Sequence, residues 1–378
     1  MKNPLRYIAL LAGFGLVLSG CVSSPQAAKP AAPSQPAAPA AEAKDKPAAA
    51  APGQPANALG ITQEEAGIKL RVDIPEIKPF LQKAKNGPIV PGLLQGGVPQ
   101  GIAYLPEQKW ILISYYREGG KSSFMSVLDA GTGKLVKSMT FNKTADQPYT
   151  GHAGGITASK KHVWLSSDKE VNMLNIDDIV KAADGSSLVF AGSVKSSTRA
   201  SFTSYGDGVL WIGEFAQGAS YPTDKAHYMT GPDGKEHKAW AEGFKLDGNT
   251  DLPAAQNGAA PVPNYILSLP DRIQGMYVSK DNIWLSESYG RNNTSTLHHM
   301  KLSLADKPHA NVTIGSAAVP VWFLDGKNVK DTTEMPPMSE GLFELNGNLH
   351  ILFESGASTY RSSSSYALDR IQILPWSE

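Results

Sequence analysis

A Gly-hydrophobic step followed nine residues later by tryptophan returns along this chain. Gly101 leads Trp110, Gly155 leads Trp164 and Gly275 leads Trp284 by this distance, and Phe202 leads Trp211 in the same way. A fifth copy, SEGLFELNGNLHILFES, keeps the spacing from Gly341 to His350. Four of the seven tryptophans therefore share one register. Such a period decides the architecture, because each repeat is a unit that buries its apolar face only against its neighbours.

Within each copy a short apolar segment such as GMYV runs into a polar turn such as SKDN, GDG or NGN, then into a second apolar segment such as IWLS. Apolar runs around Gly/Asn/Asp turns predict β-hairpins. Further strand-like pieces follow, among them FMSVLDAGTGKLVKSMTF, NYILSLP, VPVWFLDG and YALDRIQIL. Helical periodicity is confined to 176–183 and 77–85. The copies start 54, 47, 73 and 66 residues apart, and a four-stranded sheet with its turns takes roughly forty to fifty. The expected fold is all-β, a propeller of five blades, with a sixth blade hidden in 216–270 as the alternative. The competing architecture is a β-sandwich with accidental similarity. IKLRVDI at Ile68–Ile74 is a candidate to close the ring from the N-terminal side.

The first sixty residues belong to no such repeat. Lys2 and Arg6 precede an apolar run, Ile8 to Leu18, that is too short for a permanent membrane span. LSGC follows and resembles the bacterial lipoprotein box, which implies diacylglyceryl attachment at Cys21, the one cysteine in 378 residues. With no second cysteine there is no disulfide partner and no thiol cluster for a metal. The expected layout is a signal peptide over 1–20, a lipid-anchored linker over 21–60 and the propeller over 61–378. Val22 and Ser23 after the cysteine, with no Asp, imply the outer membrane in a Gram-negative source, facing the periplasm or the surface. A Gram-positive source would place the protein outside its single membrane.

From Val22 to Gly60 the chain is dominated by Ala, Pro, Ser, Gln and Lys and holds no aromatic residue. Too little apolar area is available there to offset the entropy of ordering, and the prolines favour extended conformations. Removing Lys2 and Arg6 leaves 33 of the 35 basic residues against 35 acidic ones. That balance carries no nucleic-acid footprint. The expected partners are a lipid membrane, through acylated Cys21, and an envelope polymer or protein.

In a propeller the first strand of each blade lines the axis and the second returns antiparallel. Residues before the anchor and residues after the tryptophan should therefore meet at one rim. One position before the anchor stand Gln100, Gly154, Ser201, Gln274 and Glu340; three before it stand Val98, His152, Arg199, Arg272 and Met338. The returning strands supply Tyr115, Asp168, Glu214, Glu287 and Glu354, with Arg117, Tyr116, Tyr289 and Arg291 further out. Arginines at such a rim grip carboxylate or phosphate in a bidentate way, and glutamines suit amides or sugar hydroxyls. The plain alternative is that these charges satisfy one another around a wet channel.

The Gly-hydrophobic inner strand with its returning tryptophan resembles the group that includes gluconolactonase-like lactonases, strictosidine synthase-like proteins and streptogramin lyase. Similarity of MSEGL to the lactonases' PEG start implies Glu340 as ligand to a hard cation such as Ca²⁺ or Mg²⁺, which needs further oxygen ligands from other blades. Gln100, Gly154, Ser201 and Gln274 depart from that pattern. The lyase comparison implies His152 as general base, with Glu340 or Asp168 orienting it. The leading expectation is a rim that binds a ligand or protein without catalysis. A metal-dependent hydrolase or a lyase using His152 and Glu340 is the alternative. DAGTGK at Asp129 to Lys134 lacks the glycine spacing of a phosphate loop and predicts a hairpin turn. No G-x-S-x-G nucleophile elbow occurs.

Overall fold

The predicted hairpins fold as the inner pairs of five radial sheets in the computed structural model, which describes residues 57–254 and 261–376. The expected signal peptide and most of the expected linker, including Cys21, lie outside the described residues. Blade 1 runs Val98–Leu105, Trp110–Tyr116, Phe124–Asp129 and Leu135–Thr144, and blade 2 runs Ile156–Ala158, His162–Ser167, Glu170–Asn175 and Gly192–Lys195. Blade 3 holds Phe202–Gly206, Val209–Gly213, Ala239–Lys245 and Tyr265–Leu269. Blade 4 holds Ile273–Ser279, Asn282–Glu287, Ser295–Lys301 and Val329–Met335. Blade 5 is built from Ser339–Leu345, Asn348–Phe353 and Arg370–Pro375, and its outer strand is Lys85–Ile89.

The repeat has a packing explanation at both of its marks. A Cβ on Gly101 would lie 2.3 Å from the backbone N of Ile156, one on Gly155 2.8 Å from Phe202 Cα, one on Gly275 2.9 Å from Gly341 Cα, and one on Gly341 3.0 Å from Ile102 N. The inner strands thus meet backbone to backbone around the axis, which only glycine permits. Phe202 is the exception, and its ring covers Gly213, where a Cβ would be 2.0 Å away. The tryptophans wedge between blades. Trp164 packs with Leu210, Ile212 and Phe244 of blade 3, Trp211 with Ile283, Leu285 and Met300 of blade 4, and Trp284 with Leu349 and Ile351 of blade 5. All three are 0–1% exposed, so truncating one to alanine costs about 3–5 kcal/mol. In the fifth copy His350 takes the position and stacks on Phe343 at 4.7 Å.

The predicted helices are present as Lys78–Lys83 and Ile176–Lys181. The 216–270 segment forms no sixth blade. It supplies the two outer strands of blade 3 and a small two-stranded excursion, Met229–Thr230 with Glu236–His237. Ring closure also differs from expectation, since Lys85–Ile89 does it, while 68–74 adds no strand and meets the 365–367 segment through an isolated bridge from Arg71 to Tyr366 and the Val72 N–H to Ser365 hydrogen bond. VPVWFLDG belongs to no sheet of its own: Ala317–Phe323 pairs parallel with Tyr265–Leu269, adding to blade 3 a strand from the middle of blade 4's sequence. Ser187–Val189 extends blade 1 in the same way from within blade 2's sequence.

Candidate functional site

Three inner strands begin with a register shift, between Pro99 and Gly101, between Ile273 and Gly275, and between Ser339 and Leu342. Gln100, Gln274 and Glu340 occupy these irregularities, one position before the glycine. A bulge leaves a residue out of the ladder and re-aims its side chain. Local backbone geometry thus turns the repeat's edge into a site.

Six of the rim residues named from the sequence come together: Gln100, Tyr116, His152, Arg291, Glu340 and Glu354. Gln100 Nε2 donates to Glu354 Oε2 at 2.9 Å and to the Pro99 carbonyl at 3.0 Å. Its Oε1 stands 2.9 Å from His152 Nε2. A carboxamide oxygen only accepts, so Nε2 carries the imidazole proton and Nδ1 is left as the acceptor. The imidazole stacks on Tyr116 at 4.3 Å, and the Tyr116 and Tyr360 hydroxyls are 2.9 Å apart. The Arg291 guanidinium lies over the Tyr360 ring at 4.9 Å. Glu340, only 3% exposed, adds a second carboxyl that interacts electrostatically with Glu354.

Burial governs the charge state of this cluster. It pushes the Glu354 carboxyl up to about 7, against the Gln100 hydrogen bond and the Arg291 charge, which pull it down. Burial, and then repulsion from Glu354, hold Glu340 well above the glutamate range. A buried carboxyl and a half-buried neighbour cannot both ionise cheaply, so Glu340 keeps its proton while Glu354 is poised between states. Solvent reaches the His152 ring, yet protein crowds it, and this desolvation lowers its pKa against the pull of Asp168. Burial raises Tyr360 to about 12 and raises Tyr116 further, with Glu354 adding to both. The result is one proton acceptor of adjustable charge and one neutral imidazole joined through Gln100, with one proton donor, Glu340, beside them.

The other predicted rim residues do not join it. Tyr115 is a correction: strand alternation turns it into the core, fully buried against Phe124 at 4.3 Å, and gives the rim to Tyr116. Arg117 donates through Nε to the Ser122 carbonyl at 2.7 Å and covers Phe124, so it braces its own loop. Arg272, in the left-handed region at φ 69°, donates to Gln217 Oε1 at 2.6 Å and lies over Tyr289. Glu287 stands 2.7 Å from His298 Nε2. Ser201 Oγ accepts from the Phe215 backbone N–H at 3.0 Å. Gln274 lines the apolar channel through the axis with Met276, Tyr277 and Phe343, a cavity of about 500 Å³.

Asp168, Arg199 and Glu214 line a separate cavity of about 510 Å³. Glu214 is fully buried and 2.6 Å from His227 Nδ1. Sequence reasoning missed Tyr360 and His227. Both lie in excursions outside the repeat, so no register assigned them to the rim. For Glu340 as a metal ligand, no group of three His, Cys, Asp or Glu side chains able to hold an ion occurs among the described residues.

No family model matches the chain, and no curated protein matches it. Solved structures similar to it include the PQQ-bound aldose sugar dehydrogenase of Streptomyces coelicolor, 14% identical over 77% of this chain and 96% of that one, with a TM-score of 0.43. The glutaminyl cyclase of Myxococcus xanthus is 8% identical over 77% and 94%, with a TM-score of 0.38. The calcium-binding protein regucalcin of Agrobacterium tumefaciens is 11% identical over 76% and 94%, with a TM-score of 0.32. None of these likenesses bears on the chemistry of the rim.

Proposed function

We propose that the protein is an envelope-anchored enzyme that performs acid–base chemistry, hydrolysis or elimination, on a polar substrate at the propeller rim. One observation carries this: Glu340 is a buried carboxyl aimed by the rim bulge and set beside a second carboxyl, and burial together with that neighbour raises its pKa well above the glutamate range. A rim carboxyl that keeps its proton in this way suits a general acid. Glu340 gives its proton to a leaving oxygen. Glu354, or His152 through Nδ1, takes one from water or from a carbon acid. Gln100 fixes the distance between base and imidazole, and Tyr116 and Tyr360 offer hydroxyls and an aromatic face to a sugar or peptide.

A second reading, a rim that binds an envelope polymer or protein without chemistry, is favoured by the bonds that already tie Gln100 to both Glu354 and His152. One experiment separates the two. Envelope extracts are incubated with the wild type and with Glu340→Gln and Glu354→Gln, and their small molecules and oligomers are compared by mass spectrometry. Products formed by the wild type and lost in both variants support the enzyme. Retention of an unchanged component by the wild type, weakened in the variants, supports the binder. Neither turnover nor retention overturns both.

The anchor belongs to the same proposal, in which acylated Cys21 holds the propeller at the outer membrane. Cys21→Ser should lose labelled palmitate and leave the membrane fraction. A variant that keeps both sinks the anchor.

A further inference from the structure

We infer that Ser197, His227 and Glu214 form a second, nucleophilic site on blade 3, of the kind that transfers acyl groups from small esters. It is independent of the Glu340 cluster and uses residues that the rim chemistry does not.

Glu214 directly follows the returning strand of blade 3, which ends at Gly213, and is fully buried. Its Oε2 accepts the Arg199 backbone N–H at 3.0 Å, and its Oε1 accepts that of Trp240 at 3.1 Å. Surrounded by donors, it takes the His227 Nδ1 proton at 2.6 Å as a third bond. That contact sets the tautomer and leaves Nε2 with its lone pair. His227, 3% exposed, is held flat against Trp240 at 4.1 Å, and its Nε2 faces Ser197 Oγ at 3.4 Å. Ser197 itself is exposed and lines the 510 Å³ cavity. A hydroxyl, an imidazole with its acceptor nitrogen toward it and a carboxylate behind the imidazole is the arrangement that activates serine, on whatever fold it occurs.

Glu242 holds the resting state. Ser197 Oγ donates to its Oε1 at 2.6 Å, while Ser196 Oγ and the Ser197 backbone N–H satisfy Oε2 at 2.6 and 3.2 Å. Turning the Ser197 hydroxyl to His227 therefore leaves Glu242 with two donors. In the reaction Ser197 Oγ bonds to the acyl carbon and its proton passes to His227 Nε2. The bond to the alcohol oxygen breaks, and that oxygen takes the proton from His227. Water, deprotonated by the same nitrogen, then cleaves the acyl-serine and returns Ser197 to its hydroxyl form. The backbone N–H groups of Ser197 and Arg199 are engaged by carboxylates, so Lys169 and Arg199, which line the cavity, supply the positive charge beside the oxyanion.

The test treats the full chain with a fluorophosphonate probe and with p-nitrophenyl acetate. Peptide mapping should find the phosphonyl group on Ser197, and ester turnover should show a burst of about one equivalent. Labelling and burst should disappear in Ser197→Ala and fall at least a hundredfold in His227→Asn. Where His227→Asn melts earlier than the wild type, Glu214→Gln provides the second measurement and should lower the labelling rate with its pH profile displaced. An unlabelled Ser197 in the folded wild type overturns the inference. So does labelling at wild-type rate in a folded His227 or Glu214 variant, because a merely structural lock predicts no dependence of serine reactivity on the imidazole.

Discussion

Two pairs of glutamates, three of the four fully buried and Glu354 half-buried, are treated in opposite ways. Glu214 and Glu242 of blade 3 collect backbone, hydroxyl and imidazole donors until every oxygen has a partner. In the Glu340 and Glu354 pair of blade 5, Gln100 donates to Glu354, and the Arg291 charge acts on Glu354. Burial alone therefore does not decide what a carboxyl does. The donors supplied with it matter as well: a fully served carboxylate is tied into the structure, and one with few donors beside a second carboxyl keeps its proton and offers it outward.

The strongest way to break this contrast is Glu214→Ala. It strands the Arg199 and Trp240 N–H groups and the His227 ring, and should cost about 3 kcal/mol or more in urea unfolding. Glu340→Gln should stay within about 1 kcal/mol at pH 7, because the side chain it replaces is already neutral there. If the two costs are equal, donor supply is not what separates the pairs.

The pH dependence sharpens the contrast next. The folded-state pKa of Glu354 is raised to about 7, so the folded protein holds a proton that the unfolded chain releases. That contribution is complete below the ordinary glutamate range and is lost as pH climbs through about 7, by up to roughly 1.4 kcal/mol per pH unit for each such proton. Thermal melts should fall over this window in the wild type and flatten in Glu354→Gln. A flat wild-type profile would refute the shared-proton pair.

Two smaller effects follow. Gln100→Leu removes the bond that pulls Glu354 down, and carbon NMR of labelled glutamate should find that carboxyl titrating above its wild-type midpoint. Arg272→Ala, at an exposed residue outside either pair, should move unfolding by no more than about 0.5 kcal/mol. A larger loss would mean that its contact with Gln217 and Tyr289 supports the rim after all.

The ring and the rim were legible because both derive from the repeat. Glycine at one mark and tryptophan at the other report close backbone approach and inter-blade wedging, and each leaves a residue-type signature. Counting back from the glycine led to Gln100, His152 and Glu340, and counting forward from the register led to Glu354. Donor supply could not be read this way. Tyr360, His227 and Ser197 lie outside the inner hairpins, and where their side chains arrive depends on tertiary packing. Tyr115 was misplaced because a rim position and a core position differ by one residue on a strand. The strands passed from blade 2 to blade 1 and from blade 4 to blade 3 were equally hidden, since an outer strand reads the same whichever sheet it joins.

Blade 5 draws its outer strand from Lys85–Ile89 and its third from Arg370–Pro375, and the Gln372 to Asn86 hydrogen bond spans 286 residues of chain. Contacts this distant in sequence form slowly, because loop closure must precede any stabilisation they bring. Glu340 and Glu354 stand on the inner hairpin of that same blade. Until both ends of the chain have met, the acid pair has neither the burial that raises its pKa nor the neighbour that presents Gln100. The site's acidity is thus a timer: it switches on with the final closure, and a chain still in transit carries only two ordinary, ionised glutamates.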